Sequence, residues 1–401
     1  MVRAAVLALC VASCARYGWT ESLLVVGSEP RGADVWVQPP DLGAEFLRGK
    51  TPCKVLISSA PVRGAVFKVR LERTGYAPYE TQVLIHDGEQ VDISGSMRRA
   101  DGGAGERIVL AAVGDLCLGK VDDPFRNVGV FLQNADVTFG NLEGALTNAT
   151  ETSPAKPPSA VAAGQEYVFK APPEDAGYLE RAGFDVLALA NNHAMDYRAQ
   201  GLADTLAALR DHSITPVGAG PNLDAASAFR IVTVGRKTIG FLACSTITPS
   251  GFAATGKAAG VWAHPARAMQ SDPLVDAVRR AAGTVNVLVV SLHWGIEREA
   301  EPQPYQRALA RACVDAGADV VLGHHPHCLQ PIELSGRKVV AYSLGNFVGL
   351  GTSDLTKTTL ILRIAYDGEG LEWVEVTPVH IGDGLVPSVA GDPKRIYRRG
   401  M

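Results

Sequence analysis

The short run Ala318-Asp319-Val320-Val321-Leu322 empties into Gly323-His324-His325-Pro326-His327, three imidazoles within four residues. An apolar strand that ends in a histidine-rich turn is a natural metal-binding arrangement. The same arrangement recurs upstream. Ile108-Val109-Leu110-Ala111-Ala112-Val113 ends at Gly114-Asp115, and Asp136-Val137-Thr138-Phe139 leads to Gly140-Asn141-Leu142-Glu143-Gly144. Residues 184–190 emerge into Asn191-Asn192-His193, and residues 285–292 end in His293-Trp294-Gly295. Continuous apolar runs suit strands covered on both faces, as parallel strands are. In such sheets ligands gather at the carboxyl ends of the strands. The pattern restricts the chain from residue 107 onward to an α/β sheet whose polar groups converge on one cleft.

Helices fill the gaps between these runs. Residues 174–183 read as one, and Leu202, Leu206 and Leu209 recur at helical spacing. Residues 273–282 form another, with Pro273 at its start, and residues 304–316 a third, with Gly317 placed as its C-cap. Residues 231–234 and 238–243 read as strands joined at Gly235-Arg236-Lys237, and 338–343, 358–365 and 371–376 as further strands. The Pro/Ala/Ser-rich stretch 153–164 reads as a mobile surface loop, and residues 386–401, polar and basic at their end, as a frayed tail.

The N-terminal part differs in kind. Residues 22–98 are all-β in pattern: short runs such as Asp34-Val35-Trp36-Val37 and Val66-Phe67-Lys68-Val69-Arg70-Leu71 alternate and are punctuated by Gly, Pro and Asp. That predicts a small antiparallel sandwich without a histidine or carboxylate cluster. The glycine-rich stretch 99–106 reads as a linker, and the α/β domain is expected over 107–385. Residues 1–14 have a basic start at Arg3, a short apolar core and the exit Val11-Ala12-Ser13-Cys14, the form of an export signal with a lipid-attachment cysteine. The expected location is extracytoplasmic, with a lipid anchor in the membrane. Across the 401 residues the formal net charge is -4, so no basic excess marks a nucleic-acid partner. The cysteines are scattered without a Cys-x-x-Cys pair, which excludes a zinc knuckle and gives no disulfide framework.

Carboxylate, amide and imidazole donors together suit divalent Mn, Zn, Fe or Mg. A pair of such ions can generate a hydroxide nucleophile near neutral pH and clamp phosphoryl oxygens. Asp115 and Glu143 are the carboxylate candidates, and His293, His325 and His327 the imidazole candidates. Asn192 and His193 together offer a ligand amide and a proton donor; Asp196 either orients His193 or caps the following helix. His324 points the other way on an extended chain and reads as a supporting residue. Cys117 is a ligand or buried filler, and Asn346 a hydrogen-bonding partner of the site or a turn amide. No Gly-x-Ser-x-Gly elbow, P-loop or dinucleotide fingerprint is present.

Two resemblances follow from these residues. Ser28-Glu29-Pro30-Arg31-Gly32-Ala33-Asp34-Val35, Gly49-Lys50-Thr51-Pro52 and Gly75-Tyr76 resemble the PEGA domain, a small extracytoplasmic β-sandwich. Gly114-Asp115, Asn141-Leu142-Glu143-Gly144, the stretch 190–197, His293-Trp294-Gly295, the stretch 323–330 and the stretch 343–347 resemble, in order and spacing, the CapA family of poly-γ-glutamate capsule-synthesis proteins, related to calcineurin-like metallophosphoesterases. The resemblance implies a four-layer α/β/β/α sandwich with a dinuclear metal cleft. Asp115, Glu143, Asn192, His293, His325 and His327 would be its ligands, and His193, with Asp196, its catalytic acid. The chain departs from catalytic metallophosphoesterases at Cys117, where they carry histidine, and at Asn141-Leu142-Glu143; it departs from the CapA pattern at Arg198, where glycine is usual.

Three functions remain open on this reading. The cleft hydrolyses a phosphoester or anionic polymer during capsule or envelope synthesis. Alternatively it binds an acidic polymer without turnover, as a subunit working with other capsule-synthesis proteins. The third is an adhesion or scaffolding lipoprotein, against which the strand-end residues argue.

Overall fold

The computed structural model describes residues 20–29, 33–39, 45–51, 53–59, 65–73, 78–85, 90–96, 107–266 and 272–400. The export segment 1–14 and the linker 99–106 lie outside the described residues. The chain divides into two compact units, Met1–Ala104 and Gly105–Met401.

Among the described residues the first unit is all-β. One sheet orders Cys53–Ser59, Thr20–Glu29 and Gln90–Ser96; the other orders Phe46–Lys50, Asp34–Gln38, Ala65–Glu72 and Tyr79–Ile85. Phe67, Val69 and Leu71 are buried while Lys68 between them is exposed, as strand alternation requires. The expectation of a wholly antiparallel unit is corrected: Thr20–Glu29 pairs parallel with Gln90–Ser96. The strands Phe46–Lys50 and Gln90–Ser96 are polar in pattern, whereas Cys53–Ser59 carries the β-forming run Val55-Leu56-Ile57. All three are sheet edges, where pairing on one side alone tolerates polar, weakly β-forming residues.

The second unit holds two large sheets. A nine-stranded sheet orders Thr215–Val217, Val186–Ala188, Val137–Leu142, Ile108–Leu116, Thr358–Asp367, Gly370–Ile381 and Pro387–Val389; Asn346–Val348 pairs with Ile108–Leu116, and Lys394–Arg398 with Gly370–Ile381. A six-stranded sheet orders Arg230–Val234, Lys237–Ser245, Val287–His293, Val320–His324, Lys338–Ala341 and Ile332–Ser335. Alternate residues of the strands serve different cores. Ile108, Leu110, Ala112 and Phe139 pack with Phe241, Val289, Val320 and Leu322 between the sheets. There the Phe139 and Phe241 rings stack at 5.8 Å, each burial worth about 1.5–3 kcal/mol. Ala111, Val113 and Leu116 face the other way, against Leu132, Leu179, Leu202 and Leu209. Leu288, Val290 and Val321 likewise face Leu274, Val278, Leu309 and Cys313. The result is helix, sheet, sheet, helix: a four-layer α/β/β/α sandwich.

The frayed tail expected over 386–401 is also corrected. Pro387–Val389 and Lys394–Arg398 are strands of the nine-stranded sheet, and Arg399 pairs with Asp367 at 2.7 Å. Exposure alternates along Lys394–Arg398: Arg395 and Tyr397 are half-buried, Tyr397 against the inter-sheet core, while Lys394, Ile396 and Arg398 are exposed. Among the described residues no helix is long and apolar enough to cross a membrane.

Candidate metal centre

Close backbone approaches bring the strand ends together. A Cβ on Gly114 would lie 1.9 Å from the Gly345 carbonyl oxygen, and one on Gly323 would lie 1.8 Å from that of Tyr342. Both positions therefore demand glycine. The turn after Gly323 is strained: His325 and His327 have φ of 95° and 56°, a left-handed backbone that non-glycine residues adopt at a cost of about 1–3 kcal/mol each.

Asp115, fully buried, is the anchor. Its Oδ1 accepts from Asn141 Nδ2 at 2.9 Å, and His327 Nδ1 lies 3.2 Å from its Oδ2. His324 is buried and sits 3.3 Å from Asp115 Oδ1. Burial alone would raise this carboxyl, but hydrogen bonds and charge from His324 and His327 hold it well below the usual range.

Glu143 is the opposite case. It is 0% exposed, and neither carboxylate oxygen has a hydrogen-bond partner. Burial pushes it up to about 8. Its neighbours are His293 Nε2 at 3.8 Å, His193 Nε2 at 3.9 Å and His327 Nδ1 at 3.8 Å. Burial works against a charged His327, yet Glu143 and Asp115 lift it to about 10. His325 is driven the other way, by burial and by His327, to about 3. His293 lies well below the imidazole range through burial and the charge of His325. A buried carboxylate without partners is costly unless a cation compensates it.

Among the described residues three groups have ligand atoms within 4.8 Å of one another: Glu143 with His293 and His325, Asp115 with Glu143 and His327, and Glu297 with His325 and His327. Glu143 belongs to the first two. Asn192 joins the first through its Oδ1, 2.7 Å from His293 Nε2. The residues singled out as ligands thus lie side by side, and their unpartnered buried atoms fit divalent cations: Glu143 Oε1 and Oε2, His293 Nδ1 and His325 Nδ1.

His193 stands beside this cluster. Its Nδ1 is 2.8 Å from Asp196 Oδ2, which also accepts from the Phe169 backbone N–H. Of the two roles open to Asp196 the geometry takes the first: no side chain caps the helix Arg198–Asp211. The Phe169 ring stacks on the imidazole at 4.2 Å. Burial, with Lys156 alongside, outweighs Asp196 and holds His193 below the usual imidazole range.

Lys156 is the residue the sequence reading missed. It lies in the stretch taken for a mobile surface loop, yet its side chain is 3% exposed. Its ammonium lies 2.6 Å from Asp196 Oδ1, donates to the Asn192 carbonyl at 2.8 Å and sits 3.0 Å from His193 Nδ1. A signal existed: Lys156 is the one charged residue between 153 and 164. Glu297 was missed as well, two residues beyond Gly295 in the loop after His293.

Of the alternatives left open, Asn346 binds the site, with its Oδ1 2.9 Å from His327 Nδ1. Cys117 is buried, its thiol pushed up to about 12 by burial, and it joins none of the three groups. Trp294, next to His293 in sequence, does not face the site. Strand alternation turns its ring away from His293 into the helix-covered core, where Nε1 donates to the Tyr342 carbonyl at 2.9 Å.

Residues 90–349 match the family "Bacterial capsule synthesis protein PGA_cap". The chain belongs to that family. Residues 21–101 match the PEGA domain. Among relatives of the PGA_cap chain, "Capsule biosynthesis protein CapA" of Bacillus anthracis is 31% identical over 310 residues, 73% of either chain. "PGA biosynthesis protein CapA" of Bacillus subtilis is 33% identical over 293 residues, 70% of this chain and 73% of that one. A "probable polyglutamine synthesis accessory protein" of Mycobacterium tuberculosis is 34% identical over 237 residues, 57% of this chain and 60% of that one.

Proposed function

We propose that this chain acts in the synthesis of an anionic capsule or envelope polymer, poly-γ-glutamate being the one to which its relatives' names point, and that its cleft is a two-cation hydrolytic centre. The carrying observation is Glu143, buried, without hydrogen-bond partners and common to two ligand groups. On this reading Asp115, Glu143 and His327 hold one cation, and Glu143, Asn192, His293 and His325 the other. The donor set suits Mn, Zn, Fe or Mg. When bound, such ions supply Lewis acidity and lower the pKa of water.

The chain's own residues do the rest. Asp115 is fixed by Asn141 and the histidine turn, so its ligand oxygen is aimed before any cation arrives. His193 has Nδ1 engaged by Asp196, which leaves Nε2, on the Glu143 side, as the atom that exchanges a proton with a leaving group. Lys156 neutralises Asp196 and keeps that pair in place. The PEGA domain and the lipid-attachment pattern at Cys14 support an extracytoplasmic, membrane-attached protein. A second reading, binding of an acidic polymer without turnover, draws on Cys117, a protonated thiol where hydrolytic relatives of the fold carry a histidine ligand.

The test is to purify the chain lacking residues 1–14, measure bound metal, and assay phosphodiester and γ-glutamyl substrates against His193→Ala. Metal-dependent turnover that His193→Ala abolishes supports hydrolysis. Metal without turnover on any substrate supports binding, and a protein that takes up no metal sinks both.

A further inference from the structure

The loop after the Val287–His293 strand carries a carboxylate that the two-cation reading leaves unused. Glu297 is exposed, yet its ligand oxygen lies within 4.8 Å of ring nitrogens of both His325 and His327. Its backbone is pinned to the histidine turn on either side. Trp294 N–H donates to the His324 carbonyl at 3.1 Å, and Arg298 N–H donates to the Pro326 carbonyl at 2.7 Å. Past the loop, Gln330 Nε2 donates to the Glu299 carbonyl at 2.8 Å. Arg298 takes a left-handed φ of 63° to make this bend. Glu297 is therefore held over the two histidines.

A second observation points the same way. His325 is buried, and its Nδ1 has no hydrogen-bond partner. His325 belongs to the group with Glu143 and His293, and His327 to the group with Asp115 and Glu143. Glu297 thus reaches one imidazole of each group. Glu143 is fully buried and Glu297 exposed, so the first serves the interior side and the second the solvent side.

We propose that Glu297 is an outer carboxylate ligand, reaching both cation positions from the solvent side, and that the anionic oxygen of an entering ligand takes its place. This rests on the two-cation reading above. A third carboxylate tightens the hold on hard cations. It also sets a threshold for anions, because an entering oxygen must compete with one already present.

Full-length protein, Glu297→Gln and the control His325→Ala are titrated with Mn(II) alone, free ion being read by electron paramagnetic resonance. The Mn(II)-loaded forms are then titrated with orthophosphate. Glu297→Gln is expected to weaken Mn(II) binding by about tenfold and to tighten orthophosphate binding. If His325→Ala loses Mn(II) while Glu297→Gln matches wild type for both ligands, the outer-ligand proposal is overturned and the two-cation centre stands. If wild type takes up neither Mn(II) nor, in a parallel calorimetric titration, Zn(II), both fall together. Glu297 is exposed, so its variant is expected to melt with wild type, and a matching Tm keeps folding out of the comparison.

Discussion

Lys156 Nζ lies 2.6 Å from Asp196 Oδ1, and the two side chains are 3% and 0% exposed. Removing one partner of such a pair leaves an uncompensated buried charge. Lys156→Met is expected to destabilise the domain by about 3–5 kcal/mol, read by urea unfolding. Adding Asp196→Asn to Lys156→Met should recover much of that loss. If Lys156→Met alone unfolds at the wild-type midpoint, the pair is not structural.

Metal uptake should release protons. In the metal-free protein burial raises Glu143 to about 8, and, against burial, the neighbouring carboxylates raise His327 to about 10, so at pH 7 the pair holds at least one proton that ligation must displace. The sign follows directly: affinity for Zn(II) or Mn(II) rises with pH, by up to about tenfold per unit for each proton displaced. Calorimetry in buffers of different ionisation heat should report about one or two protons released per site filled. Uptake that is independent of pH between 6 and 8 would contradict this assignment.

His193 offers a separate pH test. Burial holds its imidazole below the ordinary 6.5, so it is neutral above that pH. If it must be protonated to serve a leaving group, turnover falls as pH rises through its pKa, on the acidic side of 6.5. Lys156→Arg, which keeps the cation, should preserve the profile. Lys156→Met should move the limb to higher pH, since the cation that disfavours imidazolium is gone.

Arg198, where the resemblance leads one to expect glycine, has a φ of 57°. A side chain there costs about 1–2 kcal/mol. The compensating pair with Glu151 is exposed, at 50% and 78%, and contributes little. Arg198→Gly is therefore expected to raise Tm by about 2–4 °C, measured by calorimetry, with metal affinity unchanged.

Gly323→Ala should do the reverse. Its Cβ would meet the Tyr342 carbonyl oxygen at 1.8 Å, and a rigid strand backbone can yield only by shifting. A loss of about 3 kcal/mol and weakened metal binding are expected, because the shift moves His325 and His327.

The sequence alone determined the layered α/β plan and most of the centre. Apolar strands ending in Asp115, Glu143, Asn192, His293 and His325 announce themselves locally, because strand burial and strand-end chemistry are written within a few consecutive residues. It also carried the clue at Arg198, without the left-handed backbone that explains it. Tertiary structure alone decided what depends on long-range neighbours. Lys156 is a lone lysine among prolines until Asp196, 40 residues on, draws its ammonium into the interior. Glu297 is one more surface carboxylate until backbone bonds to Pro326 hold it over two histidines. The C-terminal strands belong to the same class, since an edge strand gains its stability from the sheet it joins. A buried charge or a polar edge strand is unfavourable by itself and becomes stable only through partners distant in sequence, which local pattern does not supply.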